Sequence, residues 1–87
     1  MKIRRKTLEQ YEAVPNNGDL NTLIVWLVAQ QDFNFMTVYN NMTIVIDTQE
    51  NRTVSLVVND WVRINDNNRL DKIRADAFDA NWEVIDE

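Results

Sequence analysis

The chain has 87 residues, 45% of them hydrophobic, with three Trp, three Phe, two Tyr and a formal net charge of -5. A domain of this length buries roughly 60 to 65% of the surface its unfolded form exposes, enough for one small core but not for a core plus a deep substrate cavity. Cysteine and histidine are absent, which excludes a disulfide framework, a thiol nucleophile, a Cys- or His-ligated metal and an imidazole base; one glycine in all excludes the phosphate-cradling loops.

In chain order, KIRRKTLEQYEAV (2–14) reads as a first strand with a cationic start and Ile3, Leu8 and Val14 as its apolar positions. NNGDL then ends it and opens a helix, with Asp19 as N-cap. Leu20, Leu23, Ile24, Leu27 and Val28 recur at helical spacing and predict one apolar stripe as far as Gln31. Val25 and Trp26 fall about 130° from the centre of that stripe. FNFMTVYNN predicts a strand with Phe33, Phe35 and Tyr39 alternating against polar neighbours, closed by an Asn40-Asn41 turn. MTIVIDT follows with Met42, Ile44 and Ile46 on one face, and after QENR the run TVSLVV places Val54, Leu56 and Val58 on one face to form a hairpin. NDWVRI and RLDKIR, separated by the turn NDNN, read as two further strands of a meander. ADAFDAN is a helical turn with Asp76 near its start, and WEVIDE a last strand or extended tail. The expectation is one α+β domain over residues 1–87, with one main helix packed on a small, mostly antiparallel sheet.

Charge is unevenly spread. Lys2, Arg4, Arg5 and Lys6 lie within the first six residues, leaving five basic and fourteen acidic groups for the other 81. Overall acidity argues against nonspecific nucleic-acid binding, which needs phosphates neutralised by Lys and Arg. Arg4 and Lys6 share one face of an extended strand and are the candidate phosphate contacts; the alternative is a solvated edge strand whose charges block edge-to-edge aggregation. The tail from Ala75 onward holds Asp76, Asp79, Glu83, Asp86 and Glu87 and no base, a row that either mimics phosphates for a basic partner or keeps a small protein dispersed.

Few residues point to chemistry. Ser55 is the sole serine and has no histidine to activate it. Asp60, in VVNDWV, reads as a turn or bulge former ahead of Trp61, with a catalytic carboxylate as the rival reading. Asp66 and Asp71 flank a turn, but the glycine and terminal glutamate of a calcium loop are missing. Neither cofactor nor metal is expected. The longest apolar run, LIVWLVA, has seven residues against the roughly 20 that span a bilayer, and no apolar run follows the basic start, so a cytoplasmic protein without membrane contact is expected.

The order of RRK…YEAV, GDLNTLIVWL, MTIVIDTQENRTVSLVVNDWVRI and ADAFDANWEVID resembles a type of small phage and prophage protein. Members begin with a Lys/Arg-rich strand, continue to a GDW-like strand and close on F-x-x-x-Y/W-x-x. Asn59 stands where that type has Gly, and NDNN replaces the Gly of its final hairpin. The resemblance implies a phage-derived α+β domain with no established reaction. It and the residues together predict an accessory protein of the host cytoplasm, not an enzyme, that binds a host or phage protein or a second copy of itself. The expected contact is an acidic face of Asp76, Asp79 and Glu83 bordered by Trp26, and it could inhibit a host factor. The alternatives are a nucleic-acid module using the basic strand and a virion or assembly component.

Overall fold

The structure is a computed structural model that describes residues 1–5 and 10–85. Among these, the strands are β1 (Lys2–Arg5), β2 (Gln10–Pro15), β3 (Phe33–Val38), β4 (Ile44–Thr48), β5 (Thr53–Leu56), β6 (Trp61–Ile64), β7 (Leu70–Ile73) and β8 (Trp82–Val84). The helices are α1 (Leu20–Val28) and α2 (Ala75–Asn81). The class is α+β, with strands predominating. Two antiparallel sheets replace the single sheet expected, a five-stranded one in the order β7-β6-β2-β1-β8 and a three-stranded one in the order β3-β4-β5.

The stretch read as one long first strand is two, with Lys2 opposite Glu12 and Ile3 opposite Tyr11. The fold-back leaves Ile3 and Val14 on opposite faces of the sheet: Val14 joins the cluster between the sheets, and Ile3 the cluster on the far side. Leu8 lies outside the described residues. Nor is β1 an edge strand, since β8 pairs along its other side, with Ile3 opposite Val84 and Arg4 opposite Glu83.

The main core gathers Val14, Val62 and Leu70 from the five-stranded sheet, Ile44, Ile46, Val54 and Leu56 from the three-stranded one, and Leu23 and Leu27 from α1. On the opposite face of the five-stranded sheet, Ile3, Ala13, Ile73 and Trp82 pack with Phe78 of α2. There Trp61 stacks on Phe78 with ring centroids 4.1 Å apart and planes within 3°. Arg63 lies over Tyr11 at 4.6 Å and Trp82 at 5.2 Å, while its guanidinium reaches Asp71 at 3.4 Å.

Helix α1 starts where Asp19 predicts. One Asp19 oxygen accepts the Thr22 N–H at 3.2 Å and the other the Thr22 hydroxyl at 2.7 Å. The hydroxyl first, and the N–H second, hold the Asp19 carboxyl below its ordinary 3.8. A depressed folded-state pKa makes the cap fully effective above pH 3.8 and weakens it as pH falls through the lowered value. The buried face, however, is rotated from the predicted stripe. Leu23 and Leu27 are buried and Leu20 and Trp26 partly so, whereas Ile24 and Val28 are 40% and 63% exposed. At 100° per residue Leu20, Leu23, Trp26 and Leu27 fill an arc of about 120°, and turning that arc inward buries the large indole where the predicted stripe would have buried two smaller aliphatics.

Other strands depart at their ends. A register shift between Phe33 and Phe35 puts the two rings on different faces, so Met36, opposite buried Ile46, takes the inward place beside Phe33. Met42 and Val58, predicted as strand residues, lie outside β4 and β5, and Val58 is 45% exposed. Three hairpins share one closure. Tyr39 donates its N–H to the Thr43 carbonyl, Thr48 to Arg52 and Asn65 to Arg69, each at 2.9 Å. The fourth residue of each loop, Met42, Asn51 or Asn68, donates back to the first and has φ of 66°, 61° or 62°. Asn tolerates this left-handed backbone, but Met pays for it in steric strain.

Two outcomes are expected in urea denaturation. Leu27→Ala should lower stability by about 2 to 5 kcal/mol and Val28→Ala by less than about 1, because only the first leaves a cavity. Met42→Asn, the residue used in the two sister hairpins, should raise stability by a few tenths to about 1 kcal/mol.

Candidate functional site

Asp60 is 5% exposed and fully committed to structure. One carboxylate oxygen accepts the Val57 N–H at 3.1 Å, and the other accepts the N–H of Ala75, the first residue of α2, at 3.1 Å. Its neighbour Asn59 supplies the turn with φ 76°. The turn reading of Asn59-Asp60 therefore describes the geometry, and the carboxylate faces backbone donors instead of an open cleft. Asp66 accepts the Tyr11 hydroxyl at 3.3 Å, and Asp71 pairs with Arg63. Among the described residues no three Asp or Glu side chains come together to hold a metal ion. Ser55 is exposed on β5.

The basic strand is drawn into the sheet. Arg4 pairs with Glu83 at 2.7 Å, both side chains 43% exposed, and Arg5 lies over the Trp82 ring at 5.3 Å. Lys6 falls outside the described residues. Two of the four cations thus already have partners within the fold.

The acidic residues do not assemble into one face. Asp76 sits in the first turn of α2 with Arg74 at 3.7 Å. Asp79, also on α2, borders a cleft of about 370 Å³ with Pro15, Trp61 and Phe78. Glu83 pairs with Arg4 on the other face, because Trp82 beside it points into the α2 cluster and strand side chains alternate. Asp86 and Glu87 fall outside the described residues. The aromatic beside Asp79 is accordingly Trp61, and not Trp26.

Trp26 packs against the main core with part of its ring while lining a shallow apolar depression with Asn21, Thr22 and Val25. Around it the outer side of α1 is apolar, with Val25 69% and Val28 63% exposed. A helix apolar on both sides ordinarily has protein on both sides. Further along, Phe35, Val38 and Tyr39 are 53%, 41% and 54% exposed.

These residues share a signal in the sequence that side-chain periodicity hides. From Leu20 to Ile46 the sole charged residue is Asp32. Asp32 is itself buried, bonded to Arg52 at 3.1 Å and to the Leu70 N–H at 2.9 Å. The surface built by α1, β3 and the β3–β4 turn therefore carries no exposed charge, in a chain of which 26% is charged. Depletion of charge around exposed aliphatic and aromatic side chains is the compositional mark of a protein interface. It is the one property here that suits binding and serves no evident purpose in folding.

No helix among the described residues is long and apolar enough to cross a membrane. Comparison with known proteins returned no matching family model, no similar curated protein and no similar solved structure.

Asp60→Ala should lower stability by about 2 to 4 kcal/mol, since two backbone N–H groups lose their acceptor. Asp60→Asn, retaining one carbonyl oxygen, should lose less. Both are read from thermal or urea midpoints; a wild-type midpoint for Asp60→Ala would return the carboxylate to the list of functional candidates.

Proposed function

We propose that this domain works by binding another protein through the uncharged outer side of α1, with Val25 and Val28 at the centre and Ile24 and Trp26 at the rim. A phage-type accessory role, without catalysis, fits this reading and rests on the resemblance of the chain to small phage proteins. The observation that carries the proposal is the exposure of Val25 and Val28 on a helix whose opposite side already supplies Leu23 and Leu27 to the core. Isolated exposed aliphatics are ordinary, but several on one uncharged helix face beside a half-buried Trp form a patch.

The partner surface implied is apolar, with hydrogen-bonding groups to meet Asn21 and Thr22 at the border of the Trp26 depression. Trp is enriched among interface residues whose truncation costs about 2 kcal/mol or more, and Trp26 is partly buried against the core while lining the depression. Complementary charge contributes little at such a surface, so binding should depend weakly on salt. This differs from an acidic face meeting a basic partner, where salt weakens binding strongly. It also differs from a nucleic-acid contact through β1, whose Arg4 is already paired.

Val25→Asp and Val28→Asp place a charge on the patch without opening the core. Each should keep its denaturation midpoint within about 0.5 kcal/mol of wild type. In affinity capture from host lysate, a protein retained by wild type in high salt should be lost with both variants and kept with Asp76→Asn and Asp79→Asn. Retention by the valine variants and loss with the aspartate variants would place the contact on α2 instead.

A further inference from the structure

Edge strands present unpaired backbone groups, and folded proteins usually blunt them with charge, brevity or cover. Two of the edges here follow that rule: β7 carries Asp71 and Lys72, and β8 has three residues including Glu83. A third, β5, is four residues long and lies against β7. The remaining edge, β3, is six residues long, FNFMTV, without charge or proline. From these contrasts we propose that β3 pairs with β3 of a second copy of this chain, antiparallel about a two-fold axis at Thr37, joining two three-stranded sheets into one of six.

The register follows from the hydrogen bonding inside the monomer. Tyr39 donates to Thr43, so with antiparallel alternation Thr37 and Phe35 also bond inward to β4, opposite Val45 and Asp47. The intervening residues Met36 and Val38 then turn their N–H and C=O groups away from β4. The other side of β4 agrees: Thr48 bonds to Arg52, so its even-numbered residues bond β5 and its odd-numbered ones β3. Two outward-facing residues flanking Thr37 match their own symmetry mates. With Thr37 opposite Thr37, Met36 of each copy exchanges both backbone bonds with Val38 of the other.

The side chains repeat that symmetry. Phe35-Met36-Thr37-Val38-Tyr39 reads aromatic, apolar, Thr, apolar, aromatic from either end. About the axis, Phe35 of one copy stands opposite Tyr39 of the other on the outer face, twice over, and aromatic cross-strand pairs are among the stabilising ones. Both rings are more than half exposed in the monomer. On the inner face Met36 meets Val38, which is 41% exposed in the monomer. Electrostatics select the same place. Each copy has a net charge of -5, and β3 with its turn is a surface where two copies meet without opposing like charges. The proposal is independent of the α1 patch, which lies on a different element and is left free for another protein.

Thr37 provides the test, because no cysteine exists in the chain. Directly opposed residues that do not exchange backbone bonds have Cα atoms about 4.5 Å apart, within the roughly 4.4 to 6.8 Å that a disulfide spans. Thr37→Cys should therefore crosslink into a dimer on mild oxidation at least about tenfold faster than Thr53→Cys, an exposed position on the far edge of the same sheet. In sedimentation equilibrium up to millimolar protein, wild type should dimerise and Thr37→Lys should weaken dimerisation by at least about tenfold. Val25→Asp should not weaken it. Amides of Met36 and Val38 should become protected from hydrogen exchange as concentration rises. A wild type that stays monomeric, equal crosslinking of the two cysteine variants, or a dimer broken by Val25→Asp but not by Thr37→Lys would each overturn the proposal. Should Thr37→Lys fail to fold, the crosslinking comparison and the exchange measurement decide alone.

Discussion

Two adjacent buried polar residues in space, Asn16 and Asp60, hold the parts of this molecule in register. The Asn16 N–H donates to the Asp60 carbonyl and the Asn16 carbonyl accepts from Asn59, both at 2.8 Å, fixing the end of β2 to the turn between β5 and β6. The Asn16 side chain then donates to the carbonyl of Met42 at 2.9 Å and to that of Leu56 at 3.3 Å, reaching the other sheet. Asp60 continues the linkage to the first N–H of α2. Burial of polar groups is unfavourable unless they are bonded, and the Asn16 amide N–H groups and both Asp60 carboxylate oxygens meet backbone groups of separate segments, while Asn16 Oδ1 is buried without a partner. The unusual backbone of Met42 belongs to the same arrangement, since its carbonyl is one of the acceptors. Local strain at that turn is offset by a contact that ties the two sheets together.

With the clamp in place, the five-stranded sheet can be apolar on both faces. One face closes against the three-stranded sheet and α1, the other against the short helix α2. A chain of 87 residues thereby divides its apolar side chains between two small clusters. Arg63 shows how the second cluster ends at solvent: its guanidinium lies over two aromatic rings and meets Asp71, so charge is accommodated at the border without a buried unpaired ion.

Local chemistry made the elements legible in the sequence, and pairing beyond the local range did not. Asp19 as N-cap, the β4–β5 hairpin, the turns built on Asn and the short helix after Arg74 all follow from residues within a few positions of one another. The split of the first strand was not legible, because alternation puts Ile3 and Val14 on opposite faces whether or not the strand is broken. The insertion of β1 between β2 and β8 depended on residues some eighty positions away. For α1, hydrophobicity alone offered more apolar positions than one face could bury, and the size of Trp26 decided the rotation. As to the candidate surface, Val25 and Trp26 were identifiable as off-stripe residues, but Val28 read as part of the core stripe. The signal for this surface was the lack of any charge but the buried Asp32 between Asp19 and Asp47, a property of a long window that periodicity within a turn or a strand does not register.

The placement of β1 between β2 and β8 also orders events during synthesis on the ribosome. Ile3 and Arg4 are translated some eighty residues ahead of Glu83 and Val84, which close their open side. Until then β1 can pair with β2 alone, and its far side is a temporary edge. The cations at Lys2, Arg4 and Arg5 discourage that edge from joining another nascent chain. When Glu83 emerges it neutralises Arg4, and Trp82 comes to lie beneath Arg5. Charges that look like a binding motif in the finished sequence thus have a use that expires once β8 has paired with β1.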